Sequence, residues 1–67
     1  MSQADVEVLH ETEETRVINW RFDTLAAEGY SWAAATQVAL RLEIDLHAAI
    51  DLLRRGCSEE IALRILL

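Results

Sequence analysis

The first helical pattern in the chain is a set of apolar residues on one face. Ile18, Phe22, Leu25 and Ala26 fall at i, i+4, i+7 and i+8, which is the periodicity of an amphipathic α-helix. Thr12 or Thr15 can begin this helix, because hydroxyls cap free N–H groups, and the neighbouring Glu13 and Glu14 favour the positive end of the helix dipole. The pattern predicts a helix over about 14–28.

Two short segments with the same pattern interrupt the apolar periodicity. Residues 29–31 read Gly-Tyr-Ser and residues 56–58 read Gly-Cys-Ser. In each, glycine can adopt the left-handed conformation just past a helix end, and serine can accept hydrogen bonds from the first N–H groups of the next helix. Each segment therefore predicts a tight turn between two helices.

The whole chain is predicted to be all-α, a small bundle of three or four short helices. The predicted bounds are about 14–28, 31–43, 45–55 and 58–67. Asp45 is a good N-cap for the third helix, but no glycine or proline forces the second to stop. We favour a break near residues 43–45, and a single helix over 32–55 stays the alternative.

The two middle helices each have a predicted core face. In the second it consists of Trp32, Ala35, Val38, Ala39 and Leu42, and in the third of Leu46, Ala49, Ile50 and Leu53. The water-facing side of the third helix carries His47, Asp51, Arg54 and Arg55. This division is the one expected of surface helices in a small bundle.

The last helix does not show a single apolar stripe. Its seven final residues include five large aliphatic ones. On a helical projection Ile61, Ile65 and Leu66 cover one side, while Leu63 and Leu67 fall on the other. A helix that is apolar nearly all round must be covered on more than one side. We therefore expect a second copy of the chain, or another protein, to pack over it.

The first helix also carries a second stripe, formed by Val17, Trp20, Thr24 and Ala27. It is rotated well away from the core face. We favour its interpretation as the edge of a wide core, and an exposed aromatic docking surface is the alternative.

Charge is distributed unevenly along the chain. The net charge is −6, and residues 1–15 hold five carboxylates and no basic side chain, whereas residues 16–67 hold seven acids against six arginines. We expect residues 1–13 to form an acidic, mostly disordered arm outside a single helical domain of residues 14–67. A negative chain is repelled by phosphate backbones, so nucleic-acid binding is disfavoured.

Composition removes several other classes of protein. The 67-residue chain has one cysteine and two histidines, which gives no internal disulfide and no zinc-ligand spacing. The acidic start does not resemble a secretion signal, and no apolar run is long enough to span a bilayer. We therefore expect a cytoplasmic protein without a cofactor, metal or membrane partner.

Neither candidate for catalysis has the partners it would need. Cys57 lacks a neighbouring base and precedes two glutamates that disfavour a thiolate, and His47 with Asp51 forms an ordinary i, i+4 surface pair. We predict that the chain is not an enzyme. A helix-turn-helix interpretation, ending in Arg54 and Arg55, has suitable helix lengths but few side chains that read bases.

Residues 16–53 weakly resemble ubiquitin-associated domains, which are three-helix modules. The residues that carry the resemblance are Gly29-Tyr30 after the first helix, Ala39-Leu40 in the second, and Ala48, Ala49, Leu52 and Leu53 in the third. The resemblance implies a compact three-helix fold and a binding patch at Gly29, Tyr30, Leu52 and Leu53. The chain departs from the family pattern at Glu28, where the family has methionine, and by its extra helix.

A second resemblance covers a longer part of the chain. The segments WRFDTLAAEGY, DLHAAIDLLRRGC and EIALRILL are similar to those of short, uncharacterised proteins from GC-rich Gram-positive (actinobacterial) bacteria. It implies a bacterial cytoplasmic origin and no particular activity.

These observations predict a non-catalytic protein-interaction module that forms a homodimer through its C-terminal helix, helped by the Trp20 side of the first helix. The predicted contact residues are Val17, Trp20, Tyr30, Leu52, Leu63, Leu66 and Leu67. The alternative is a small transcription-associated regulator that contacts DNA or a basic protein, with the acidic arm imitating phosphate charge.

Overall fold

Four short helices make up the computed structural model, which describes residues 12–67. They are α1 (Glu13–Ala27), α2 (Trp32–Leu40), α3 (Leu46–Arg54) and α4 (Glu59–Leu66). The described residues contain no strand, so the predicted all-α fold is confirmed. The predicted acidic arm lies outside the described residues except for Thr12 and Glu13, which begin α1.

Each helix starts at a capping side chain that the sequence indicated. Thr12 accepts a hydrogen bond from the N–H of Thr15, and Asp45 accepts one from the N–H of His47. Ser31 and Ser58 cap α2 and α4 in the same way, by accepting from Ala34 and Ile61. Caps of this kind each stabilise a helix by about 1 kcal/mol.

The ends of α1 and α3 share one backbone arrangement. The N–H of Tyr30 donates to the carbonyl of Leu25 at 3.1 Å, and the N–H of Cys57 donates to that of Leu52 at 3.0 Å. The preceding residue in both turns is glycine, with φ of 119° at Gly29 and 96° at Gly56. These are Schellman turns, so the predicted helix–turn–helix pattern at both segments is confirmed.

The core is built from small and branched aliphatic residues of all four helices. Leu25 and Val38 are its largest fully buried side chains. Five buried alanines let neighbouring helices approach closely: Ala34, Ala35, Ala39, Ala49 and Ala62. The partly buried residues packed around this centre include Ile18, Phe22, Ile50 and Leu53, as their helical spacing predicted.

Two residues predicted to lie in the core of the second helix do not. Trp32 is 78% exposed and Leu42 is 45% exposed. Trp32 is the first residue of α2, and side chains lean toward the N-terminus of their helix, so its ring extends past the helix start into solvent. Leu42 lies beyond the end of α2, where helical periodicity no longer determines the direction of a side chain.

A buried arginine side chain binds the backbone at the corner between α2 and α3. Arg21, on the core side of α1, is 7% exposed. Its guanidinium donates to four backbone carbonyl oxygens, at distances between 2.8 and 3.3 Å, those of Val38, Ala39, Arg41 and Ile44. These carbonyls belong to the last turn of α2 and the following loop, where helix carbonyls lack intrahelical partners.

The hydrogen bonds of Arg21 account for the residue at which the second helix ends. The predicted break near residues 43–45 is confirmed, and the single helix over 32–55 is wrong. The second helix ends at Leu40, three residues earlier than its predicted bound, and the carbonyls of Arg41 and Ile44 accept hydrogen bonds from the Arg21 side chain instead.

Side chains also tie α3 to the end of α1. The hydroxyl of Tyr30 donates to the carbonyl of Ala49 at 2.6 Å. Glu28, the C-cap of α1, accepts two hydrogen bonds from the guanidinium of Arg54, at 3.1 and 3.0 Å, and this carboxylate raises the pKa of Arg54. None of the four described helices is long and apolar enough to cross a membrane.

Candidate interaction surface

The inner side of α4 is a single apolar stripe. Ala62 is fully buried, and Leu63 and Leu66 are partly buried against the core. These positions are spaced i, i+1 and i+4, which places them on one side of a helix. The predicted grouping, with Leu66 beside the isoleucines and Leu63 opposite, is therefore wrong, because Leu63 and Leu66 share the side that faces the bundle.

The outer side of α4 carries the two isoleucines. Ile61 is 50% exposed and Ile65 is 61% exposed, and Leu67, which follows the helix, is 48% exposed. Ile61 and Ile65 are one turn apart, so their side chains lie one above the other. We call these three residues the α4 surface.

Two opposite charges lie along one edge of the α4 surface. Glu60 and Arg64 each precede an isoleucine and are joined by a hydrogen bond of 3.2 Å across one turn. Both side chains are more than three-quarters exposed. An exposed pair of this kind contributes only about 0.3–0.5 kcal/mol to the stability of the helix. Its order along α4 makes the edge negative near the start of the helix and positive near its end.

The start of α4 is fastened to the start of α2 by one carboxylate. Glu59 accepts hydrogen bonds from the N–H and from the hydroxyl of Ser31, the latter at 2.9 Å. A glutamate three residues after a capping serine makes this contact within one helix in a capping box. Here the glutamate comes from a different helix, and its charge lies at the positive ends of both α2 and α4.

Trp32 is a large exposed apolar residue whose backbone lies near the start of α4. It follows Ser31 in the chain, so its backbone lies beside the Ser31–Glu59 contact. At 78% it is the most exposed of the large apolar residues. Helical spacing predicted a core position for Trp32, although its place at the start of a helix was a usable signal of exposure.

The second stripe of α1 is a surface and not the edge of a core. Val17 is 39% exposed and Trp20 is 59% exposed, so the interpretation that we favoured for these residues is wrong. The two helices α1 and α4 share no contact. Val17 and Trp20 therefore form an apolar surface separate from the α4 surface.

The remaining predicted contact residues lie at the junction of α1 and α3. Tyr30 is 3% exposed, and its hydroxyl is occupied by a carbonyl of α3. Burial raises its pKa, and the nearby Glu59 and Cys57 raise it further. Leu52 and Leu53 are partly buried against the core. Because Tyr30 presents no surface, we leave it out of the surface proposed below.

An open hollow of about 420 Å³ runs along the outer side of α3. It is lined by Asp45, His47, Ala48, Ile50, Asp51 and Arg54. The histidine is almost fully exposed, with Asp45 at 3.7 Å, and Asp51 pairs with Arg55 at 2.7 Å. These carboxylates do not hold the imidazole in a fixed catalytic arrangement, since its contact with Asp45 is long and exposed to water.

Side chains that could take part in catalysis or metal binding are dispersed over the described part of the chain. Cys57 is partly buried beside the second glycine turn. No group of three or more metal-ligating side chains lies together among residues 12–67. The geometry thus presents apolar surfaces on α1, α2 and α4 rather than a constellation of reactive groups. Comparisons with protein-family models, with curated proteins and with solved structures found no match to this chain.

Proposed function

We propose that this protein is a non-catalytic interaction module that associates with itself through the α4 surface. The observation that carries the proposal is the exposure of Ile61, Ile65 and Leu67 on a helix whose other side is already packed against the core. Burial of such side chains is the main favourable term in most protein association.

The size of the surface determines the strength that we expect. A standard interface buries roughly 800 Å² on each partner, and smaller contacts are typical of weak or transient complexes. Three aliphatic residues of α4 supply only part of that area, and a tryptophan adds about 150–250 Å² when buried. With Trp32 beside the start of α4, we expect micromolar self-association rather than a permanent dimer.

Trp20 has a secondary role in this proposal. Its stripe lies on α1, which has no contact with α4. Trp20 can add to the interface only if the partner molecule contacts α1 as well as α4. Substitution of Trp20 should therefore weaken association less than substitution within the α4 surface.

The regulator hypothesis has less support. In its DNA-binding form, the candidate recognition helix ends in Arg54 and Arg55, and both are paired with carboxylates, Glu28 and Asp51. A gel-shift experiment with random DNA at low salt tests it directly, and a shifted band would favour it over the module proposed here.

The proposal is tested by light scattering behind a sizing column, at rising micromolar loading. The test variant is Ile65→Glu, which places a charge in the α4 surface, and the control is Leu40→Glu. The two positions are matched, being 61% and 59% exposed, but Leu40 lies at the end of α2 remote from Ser31. We expect the first variant to be monomeric and the second to associate like the unmodified chain. Equal association of all three would contradict the proposal.

A further inference from the structure

We propose that two copies of α4 pack against each other in antiparallel orientation about a two-fold axis, with Ile61 of one copy against Ile65 of the other. This inference rests on the proposed function, self-association through the α4 surface, and adds its geometry. A two-fold arrangement uses the same surface on both copies.

The isoleucines by themselves permit two orientations. Ile61 and Ile65 are separated by four residues, a rise of about 6 Å along the helix. In a parallel pair each isoleucine meets its own equivalent, and in an antiparallel pair it meets the other. Either arrangement covers the same apolar area, so the orientation depends on the groups around the isoleucines.

The edge charges favour the antiparallel pair. Glu60 and Arg64 lie on the same side of the isoleucine pair, one turn apart. In a two-fold parallel pair the axis runs along the helices, so the two charged edges lie on opposite sides of the interface and do not face each other. In an antiparallel pair the side chains of the two copies alternate along one edge. Their order is Glu60 of the first copy, Arg64 of the second, Arg64 of the first and Glu60 of the second. Two attractive neighbours then flank one repulsive pair at the axis.

The carboxylates and dipoles at the helix start act in the same direction. Glu59 and Glu60 both lie in the first turn of α4, and Arg64 lies in its last turn. A parallel pair would bring four of these carboxylates together and align two helix dipoles side by side. An antiparallel pair places each negative first turn beside the basic last turn of the other copy, with dipoles opposed.

The antiparallel arrangement also brings the Ser31–Glu59 contact of one copy toward the end of α4 in the other. The backbone of Trp32 lies beside the start of α4, next to the Ser31–Glu59 contact. The first turn of one α4 would lie near the last turn of the other, where Leu67 is 48% exposed. Each end of the interface would thus bring the first turn of one α4 close to Leu67 of the second copy.

Disulfide trapping tests the orientation in the full chain. With Cys57 replaced by serine, Ile61→Cys and Ile65→Cys are made as separate variants, and each is oxidised alone and in an equimolar mixture. A disulfide requires Cα atoms within about 7 Å. We expect the mixed 61–65 dimer in several-fold excess over either homotypic dimer, as read by mass spectrometry of the trapped species.

A charge swap provides a second measurement that leaves the isoleucines in place. The double variant Glu60→Arg with Arg64→Glu reverses the order of the two charges along α4. Mixed with the unmodified chain, it should sort into homodimers if the pair is antiparallel, because the mixed dimer then contains two like-charge neighbours. Native mass spectrometry of the mixture counts the two kinds of dimer.

The outcomes separate the geometry from the function. Homotypic disulfides, or mixed dimers at or above the statistical proportion in the charge swap, would overturn the antiparallel pair while leaving self-association through α4 intact. An associating chain that forms none of these disulfides would overturn the pairing of α4 with α4. A chain that stays monomeric would overturn the proposed function as well.

Discussion

At the corner between α2 and α3, one side chain from α1 binds four backbone carbonyls, whereas α4 leaves two isoleucines uncovered along its outer side. At the corner, backbone carbonyls at and after the end of α2 accept hydrogen bonds from a side chain of α1. On α4, the isoleucines Ile61 and Ile65 are at least half exposed among residues 12–67. The difference separates the residues that should determine folding from those that should determine association.

Within residues 12–67, the buried charge at the corner is stabilised by backbone oxygens rather than by a carboxylate. The four acceptors of the Arg21 hydrogen bonds are backbone oxygens, and the end of α2 contributes the negative pole of its dipole. A guanidinium suits this role because its donors form a planar fork and it does not lose its charge.

The largest effect should come from Arg21→Met, which keeps the bulk of the side chain and removes its donors. Hydrogen bonds to charged groups contribute about 1.5–3 kcal/mol, and buried carbonyls left without a donor add a further cost, so we expect a loss of about 2–4 kcal/mol in the free energy of unfolding. Urea denaturation followed by circular dichroism measures it. Arg16→Met, in the exposed part of α1, is the control and should change stability by no more than about 0.5 kcal/mol.

The next prediction compares the two sides of α4. Leu63→Ala removes a side chain packed against the core and should cost about 1–2 kcal/mol, below the usual range for a fully buried leucine because Leu63 is only partly buried. Ile65→Ala should leave the unfolding free energy of dilute chain nearly unchanged but weaken association. Equal losses of stability in the two variants would contradict the assignment of inner and outer sides.

Tyr30→Phe probes the junction of α1 and α3. Loss of the hydroxyl donor to Ala49 should cost about 1 kcal/mol at neutral pH. Because the pKa of Tyr30 is raised in the folded chain, its neutral form is favoured by folding. That contribution is complete below about pH 10, the ordinary value for tyrosine, and is lost as the pH rises through the folded pKa.

The pH dependence has a direct readout, since Tyr30 is the only tyrosine in the sequence. Ultraviolet titration should show its phenolate forming at higher pH in folded than in urea-unfolded chain. The same titration midpoint in both states would contradict a buried, hydrogen-bonded phenol.

The smallest effect should follow from Glu59→Gln, which weakens the link between the starts of α2 and α4. We expect a loss of about 0.5–1 kcal/mol, similar to that of a helix cap, with faster amide hydrogen exchange concentrated in α4. The matched control is Glu60→Gln, whose carboxylate binds only Arg64 one turn away. Identical exchange in the two variants would show that Glu59 does not fasten α4.

Local signals in the sequence predicted the helices and their ends. Capping at Ser31, Asp45 and Ser58, and the turns at Gly29 and Gly56, depend on nearest neighbours in the chain, and all five were placed correctly. The core sides of α1 and α3 follow from helical spacing for the same reason.

The parts that sequence analysis missed depend on contacts between distant positions. Arg21 binds carbonyls 17–23 residues away. Its signal was a charged residue in line with Ile18 and Leu25 on the apolar side of α1, which the analysis did not use. The orientation of α4 was missed because a helix with apolar residues on most sides has no unique inner side until Ala62 is seen to approach its neighbours.

The measurement that tests the central claim most directly is sedimentation equilibrium of the unmodified chain across the micromolar range. If the outer side of α4 is covered by a second copy, the apparent mass should rise from one chain toward two as concentration increases, and Ile65→Glu should abolish the rise. A single-chain mass at every concentration would contradict the claim that Ile61 and Ile65 form a surface for self-association.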